Sequence, residues 1–231
     1  MKLYDLFYKV LNAKFTHTST GADYSFTKEN GVLYILFEET MDAQDKRLNL
    51  QARAVKYNHL GISWKCHRGF LQNWLSIEPE LRKIIYDTDF HSVILSGYSH
   101  GAALSVFAHE YVWLVRPDLR NSLYTYAFEG PRVVNGALPS KLDACWNNFY
   151  LIRNGKDIIT HLPPKCLGYK HVGQIIEIGQ NTPMKYTFSA PNWIQKNAKL
   201  NQLYHTITKS YNYHYYLNIA DALKEYDESK E

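Results

Sequence analysis

Cysteine is scarce in this sequence. Its 231 residues include only three cysteines, Cys66, Cys145 and Cys166, and no two of them form a C-x-x-C pair. An odd number at scattered spacing argues against a disulfide framework, and the missing pair argues against a zinc site. We therefore expect neither cross-links nor a structural metal.

Long runs of one charge are also absent. The net charge is +4, from 26 basic and 22 acidic residues, and no run contains five or more Lys or Arg residues. A concentrated basic patch is the usual signature of nucleic-acid binding, so we expect no nucleic-acid partner. The small positive charge leaves a weak contact with an anionic membrane surface open.

Long apolar runs are missing as well. No stretch approaches the 18 apolar residues of a membrane span, and Asp5, Lys9 and Lys14 interrupt the first segment, "MKLYDLFYKVLNAKF". These charges break the apolar core that a secretory signal needs. The segment is typical of an amphipathic helix, and the sequence predicts a cytoplasmic protein.

What remains is an ordinary globular composition, with 45% hydrophobic and 21% charged residues and no internal repeats. Apolar runs alternate with helical patterns, which predicts an α/β protein with a mostly parallel central sheet flanked by helices. We expect a single domain over residues 1–231. Residues 180–212 are polar and irregular, and their structure is not predicted.

The predicted elements follow from the spacing of apolar residues. Residues 69–87 read as helical, and Pro79 suits a first helical turn, so this stretch could form two short helices. Residues 101–115 are apolar nearly all round, as in a buried central helix. Strands are predicted at 31–39, 91–97, 123–130, 147–155 and, at the sheet edge, 173–179, and a last amphipathic helix at 214–226.

The stretch "SGYSHGAAL" lies between a predicted buried strand and this central helix. Gly97, Ser99 and Gly101 have the G-x-S-x-G spacing of a nucleophile elbow, in which a serine occupies a strained turn between strand and helix. Glycines are needed there because neighbouring Cβ atoms would collide. Ser99 is the candidate nucleophile. The backbone N–H of His100, at the helix N-terminus, is a candidate oxyanion donor, and its imidazole is not expected to be the base.

A serine nucleophile needs a base and an acid, and the chain order in this arrangement is Ser, Asp or Glu, then His. Asp157 follows a predicted strand and is the candidate acid, although a turn aspartate that bonds its own backbone is the plainer alternative. His161 follows Asp157 by only four residues, which is too close for a base carried by a separate segment of the chain. His214, at the head of the last helix, is preferred as base, and His171 stays open as its rival. His205, also downstream of Asp157, lies within the unassigned residues 180–212.

Several blocks in one order point to a known family. They are "VILSGYSHGAALSVFA", "YAFEGPRVVN", "YLIRNGKDIITHLPP", "GYKHVGQIIEI" and "HYYL". Together they resemble the class 3 lipases, the fungal-lipase-like branch of the α/β-hydrolases, over roughly residues 30–220. The resemblance implies an α/β-hydrolase fold and a triad of Ser99, Asp157 and His214. It also implies that His171 lies outside the triad and that His67 has a structural role.

The resemblance has departures near the second oxyanion donor. Thr40 aligns with the residue that supplies this donor, but Glu38 and Glu39 stand where the family commonly has arginine and glycine. Carboxylates that faced the oxyanion would oppose it, and one missing donor lowers the rate about 10²–10³-fold. His100 stands where the family usually has leucine.

The implied activity is hydrolysis of carboxylic esters, of the lipase or esterase type, on a small-molecule ester or lipid, without a metal or other cofactor. A lid is expected at 41–55, and its apolar face is thin, which favours soluble or short-chain esters over strong interfacial activation. Trp193 and nearby aromatics are the alternative source of the acyl pocket. Two other functions stay open: a catalytically silent binding module, suggested by Glu38 and Glu39, and an acyltransferase that uses the same serine.

Overall fold

The computed structural model describes residues 1–18, 20, 22–38, 53–86, 89–180, 182–186 and 192–231. The described strands are β1 (Tyr24–Glu29), β2 (Val32–Phe37), β3 (Ala54–His59), β4 (Ile62–His67), β5 (Ser92–Tyr98), β6 (Leu123–Phe128), β7 (Val134–Asn135), β8 (Phe149–Asn154), β9 (Tyr169–Lys170) and β10 (Gln174–Ile178). The described α-helices are α1 (Leu3–Leu11), α2 (Arg68–Ile85), α3 (His100–Val115), α4 (Asn192–Gln195), α5 (Ala198–Asn212) and α6 (Tyr216–Glu228).

The larger sheet carries the candidate site. Its six described strands have the order β1-β2-β5-β6-β8-β10, and every neighbouring pair except β1 with β2 is parallel. The prediction of a mostly parallel sheet is therefore confirmed. β10 lies at the edge, as its sequence indicates. Parallel strands end at the same side of a sheet, so the loops after β5, β6 and β8 lie together.

Helices cover both faces of this sheet. On one side, α2 and α3 pack against it through a large apolar cluster that includes Trp74, Leu95 and Phe107. On the other side, α1 and α6 contribute Phe7 and Leu223 to a second cluster. Because both faces are buried, the central strands are almost continuously apolar rather than alternating.

A smaller sheet, with the strand order β3-β4-β7-β9, was not predicted from the sequence. β3 and β4 form a hairpin whose turn, Leu60 and Gly61, has positive φ at both residues, 47° and 74°. Apolar residues at every second position are typical of a half-buried strand, and Ile62, Trp64 and Cys66 of β4 have this spacing, a signal that the prediction left unused. The hairpin contributes Tyr57 and Trp64 to the larger apolar cluster.

Pro79 does not divide the helix that follows this hairpin. α2 runs without a break from Arg68 to Ile85, so the expectation of two short helices is wrong. Trp74, Ile77 and Leu81 lie on one face, and all three are fully buried. Burial of this face holds both halves of the helix on the core, which outweighs the one backbone hydrogen bond that proline removes.

Two stretches limit what the sequence could predict. Helices α4 and α5 occupy much of residues 180–212, for which no structure was predicted. Most of the expected lid, together with Thr40, lies outside the described residues, and its last two residues, Ala54 and Val55, belong to strand β3. None of the described helices is both long enough and apolar enough to cross a membrane.

Candidate active site

The turn between β5 and α3 has the strained backbone expected of a nucleophile elbow. Ser99 has φ 54° and ψ −113°, an unfavourable conformation for a residue with a side chain. Its N–H donates to the carbonyl of Phe128 at 2.9 Å, which ties the turn to the neighbouring strand β6. The surrounding sheet maintains this strained conformation, and in it the Ser99 hydroxyl lies above the strand ends.

The two glycines of the elbow allow the helix to pass close to the sheet. A Cβ atom on Gly97 would lie 2.3 Å from the carbonyl carbon of Gly101, and one on Gly101 would lie 2.3 Å from the carbonyl oxygen of Phe37. The first atom belongs to helix α3 and the second to the end of strand β2, so neither can move without shifting one of these elements. Glycine at both positions therefore follows from the packing of α3 against the ends of β2 and β5.

Three distant residues meet at this turn. Nε2 of His214 lies 2.8 Å from Oγ of Ser99, and Nδ1 of His214 lies 2.6 Å from Oδ2 of Asp157. Asp157 is fully buried, and His214 is 9% exposed. Serine, imidazole and carboxylate thus form one continuous chain of hydrogen bonds, which is the geometry required to activate a serine hydroxyl.

Asp157 lies in the loop after β8. Its Oδ1 accepts a hydrogen bond from the N–H of Ile159 at 2.9 Å, and its backbone carbonyl accepts one from the Thr160 hydroxyl at 2.9 Å. The side chain therefore makes the local turn contact that aspartate commonly makes, and its second oxygen still faces His214. The local contact fixes the carboxylate in the direction that the imidazole needs.

The other candidate histidines are engaged elsewhere. Nε2 of His171 donates to the carbonyl of Thr160 at 2.7 Å, and burial lowers the pKa of His171 to about 4. Nδ1 of His161 lies 2.9 Å from the carbonyl of Asp157. His67 caps helix α2, since its Nδ1 accepts from the N–H of Phe70 at 3.5 Å. His205 is on helix α5.

His100 begins helix α3, so its backbone N–H lies in the first turn of the helix. Its imidazole is buried and turned into the core, where Nε2 accepts from the side-chain amide of Asn73 at 2.9 Å. Burial lowers the pKa of His100 to about 4, so the ring is neutral near pH 7. The side chain is a packing residue, and the backbone is the part of His100 that can contact an oxyanion.

Glu38, the described member of the carboxylate pair, lies beside the N-terminal segment. A carboxylate oxygen of Glu38, a carboxylate oxygen of Asp23 and a ring nitrogen of His17 lie within 4.8 Å of one another. The N–H of Glu38 also donates to the carbonyl of Asp23 at 3.1 Å. Glu38 therefore has neighbours of its own near the start of the chain, whereas Glu39 and Thr40 lie outside the described residues.

A further ionisable residue adjoins the triad, and it was not predicted from the sequence. Glu129 directly follows β6 and is fully buried. One of its carboxylate oxygens lies within 4.8 Å of a carboxylate oxygen of Asp157 and of a ring nitrogen of His214. A signal was present in "YAFEGPRV", where a charged residue stands between an apolar strand and a Gly-Pro pair. It was assigned no role because a single glutamate at a strand end is usually exposed to solvent.

Comparison with known proteins identifies relatives over part of the chain. The family model described as "Lipase (class 3)" matches residues 34–166. A secreted mono- and diacylglycerol lipase, LIP2, of Malassezia restricta is 31% identical over 139 residues, which are 57% of this chain and 43% of that protein. A lipase of Rhizomucor miehei is 26% identical over 156 residues, which are 65% of this chain and 43% of that protein. The chain thus spans less than half the length of either relative.

Solved structures include a triacylglycerol lipase whose catalytic centre is described as a serine protease triad. It superposes with a TM-score of 0.60 and 21% identity, over 74% of this chain and 67% of that one. The likeness shows a common fold, and the predicted α/β-hydrolase fold is confirmed.

The expectation of a cytoplasmic protein is wrong. The relative from Malassezia restricta is named a secreted lipase, which points to the outside of the cell. The expectation depended on charges in the first segment, and this segment forms helix α1, which packs into the core through Leu6 and Phe7. Its charges therefore reflect an amphipathic helix of the fold and carry no information about export. The match to the family model covers more than half of the sequence, and the chain belongs to the class 3 lipase family.

Proposed function

We propose that this protein hydrolyses carboxylic esters, with Ser99 as nucleophile, His214 as base and Asp157 as the acid that orients His214. The observation that carries this proposal is the unbroken path from Ser99 Oγ through both ring nitrogens of His214 to Asp157 Oδ2, with steps of 2.8 Å and 2.6 Å. Membership of the class 3 lipase family supports it. We further propose that residues 1–231 form one domain.

The proposed reaction has two halves. Ser99 Oγ attacks the acyl carbon while His214 Nε2 takes its proton, and the same histidine then protonates the departing alcohol. Water, deprotonated by His214, attacks the acyl-enzyme, and the proton returns to Ser99 as the acid leaves. Asp157 stabilises the imidazolium in both halves, and this chemistry requires no metal or cofactor.

The oxyanion formed in each attack needs hydrogen-bond donors. We propose the backbone N–H of His100 as the first donor, because it lies at the start of α3 directly beside Ser99. Thr40 is proposed as the second by its place in the sequence. The position of the Glu38 carboxylate beside His17 and Asp23 supports a site in which Glu38 does not oppose the developing charge.

The proposed substrates are acyl esters of the glycerolipid type, and the proposed place of action is outside the cell. Both follow the relatives, since several are named secreted mono- and diacylglycerol lipases. A panel of p-nitrophenyl esters and acylglycerols of increasing acyl length would define the chain-length preference. Inclusion of alcohol acceptors in the same assays distinguishes hydrolysis from acyl transfer by the products.

The decisive experiment is labelling with a fluorophosphonate probe, combined with assay of Ser99→Ala. We expect covalent labelling at Ser99 and a loss of p-nitrophenyl butyrate turnover of up to about 10⁶-fold in the variant. Ser96→Ala is the matched control, because the buried Ser96 hydroxyl donates to the Tyr126 carbonyl and lies outside the triad. Absence of labelling would favour a silent binding module, and wild-type turnover in Ser99→Ala would refute the assignment.

A further inference from the structure

Glu129 has a backbone conformation that a glutamate rarely adopts. Its φ is 52°, in the left-handed region that favours glycine, and the residue is fully buried. Its N–H donates to the carbonyl of Ile152 at 2.9 Å, which fixes the chain between the ends of β6 and β8. Both the strain and the burial of a carboxyl group reduce stability, so the position of Glu129 calls for a functional reason.

The contacts of its carboxyl group point to the triad. Oε1 accepts a hydrogen bond from the N–H of Asn154 at 2.5 Å. No N–H or O–H group of the described residues donates to the buried Oε2. The carboxyl groups of Glu129 and Asp157 and the ring of His214 form one cluster, in which a carboxylate oxygen of each acid and a ring nitrogen of His214 lie within 4.8 Å of one another.

Two buried carboxyl groups at this separation cannot both be ionised at neutral pH without a large cost. Burial and the adjacent charge of Asp157 raise the pKa of Glu129 well above its ordinary value, so Glu129 carries the proton. The other charged neighbours are Arg153 on β8 and Glu177 on β10, which pair with each other, with Nε 3.1 Å from Oε2. A protonated Glu129 can donate a hydrogen bond to the carboxylate of Asp157, which lies in the same cluster.

We propose that Glu129 is a positioning residue of the triad: its neutral carboxyl donates to Asp157, so that the two residues carry one negative charge and one proton beside His214. This inference rests on the proposed function. Sharing the proton disperses the charge of Asp157 and weakens its attraction for the imidazolium. Glu129 thereby lowers the pH below which the base is protonated and inactive.

The arrangement has a second consequence when Asp157 is removed. Burial is the main cause of the raised pKa of Glu129, and without Asp157 the residue loses the charge and the side-chain hydrogen bond that add to it. Its carboxylate then lies in the cluster with His214 and takes over part of the electrostatic role of the acid. Glu129 is thus a reserve acid that becomes active only in the absence of Asp157.

The first test compares pH profiles of kcat/KM for p-nitrophenyl butyrate in the wild-type chain, Glu129→Gln and Glu129→Gly. Glycine tolerates the left-handed backbone but removes the donor, so we expect the acidic limb to move up by about one pH unit. Glutamine keeps an N–H donor, and its limb stays within about 0.3 unit of the wild type. A lower kcat in Glu129→Gly with an unmoved limb would indicate a merely structural role and overturn the proposal.

The second test uses only the conservative glutamine substitution and so does not depend on the folding of Glu129→Gly. Asp157→Ala is compared with the double variant Asp157→Ala/Glu129→Gln. We expect the double variant to be at least about 10-fold slower, because it lacks both acids. Equal rates would overturn the reserve role. The two proposals fail in different ways. If the wild type is active, the acidic limbs of all three pH profiles coincide, and Asp157→Ala and the double variant have equal rates, only the role of Glu129 is refuted. If the wild type is inactive and is not labelled by the fluorophosphonate, the proposed function is refuted.

Discussion

The ring of Tyr98 stacks on the imidazole of His214, with centroids 5.0 Å apart and planes inclined by 27°. The Tyr98 hydroxyl also donates a hydrogen bond to the backbone carbonyl of His214. Tyr98 directly precedes Ser99, so one side chain connects the elbow to the loop that carries the proposed base. The Tyr98 ring fixes the plane of the imidazole, and the Tyr98 hydroxyl fixes the position of the His214 backbone.

Tyr98→Phe therefore separates these two contacts. The ring still stacks, but the buried His214 carbonyl loses its donor, which we expect to cost about 1 kcal/mol of unfolding free energy and to lower kcat several-fold. Tyr57→Phe is the matched control, because the Tyr57 hydroxyl accepts from Trp74 Nε1 at 3.2 Å in the other apolar cluster. Urea unfolding and p-nitrophenyl butyrate turnover provide both readouts. An equal kcat in the two variants would contradict the positioning role of Tyr98.

The choice of base gives a second prediction. His214→Ala removes the proton acceptor of Ser99, and we expect kcat to fall by up to about 10⁶-fold. His171→Gln keeps an N–H donor for the Thr160 carbonyl and is expected to retain kcat within a few-fold, with a loss of stability of about 1 kcal/mol. Circular dichroism verifies that both variants fold. Comparable losses of kcat in both would reopen the assignment of the base.

Local features of the site could be predicted from the sequence. The spacing of Gly97, Ser99 and Gly101 needs only one strand, one turn and one helix, and each leaves a clear local pattern. The candidates Asp157 and His214 were found in the same way, because each lies next to a predicted element. The order of the sheet strands then brings them to one place.

Long-range packing could not be predicted in this way. The role of Glu129 depends on its burial and on the side chains of Asp157 and His214, and no local pattern reports them. The Glu38 carboxylate is similar, because its neighbours His17 and Asp23 lie between the first predicted helix and the first predicted strand, where no element was predicted. In both cases the charge of the residue is visible in the sequence, whereas its surroundings are a property of the fold.

A buried acid far along helix α3 provides a third prediction, one that concerns stability rather than catalysis. Glu110 is fully buried, and its Oε1 accepts from Trp64 Nε1 at 3.0 Å. A basic group, His59, lies close by, with its Nδ1 3.9 Å from Oε2 of Glu110. Burial raises the pKa of Glu110 to about 7, and burial also lowers the pKa of His59. Burial thus favours the neutral form of both residues.

This raised pKa makes the fold less stable as the pH rises. Between the ordinary value of 4.5 and about 7, the native state holds a proton on Glu110 that the unfolded chain has lost. Unfolding free energy therefore falls across this window, by on the order of 3 kcal/mol from this group. Glu110→Gln keeps the acceptor for Trp64 without an ionisable proton, so its advantage over the wild type should grow from pH 5 to pH 8 in urea unfolding. Glu80→Gln, at the surface of α2, should run parallel to the wild type, and a parallel Glu110→Gln curve would mean that Glu110 is ionised in the native state throughout.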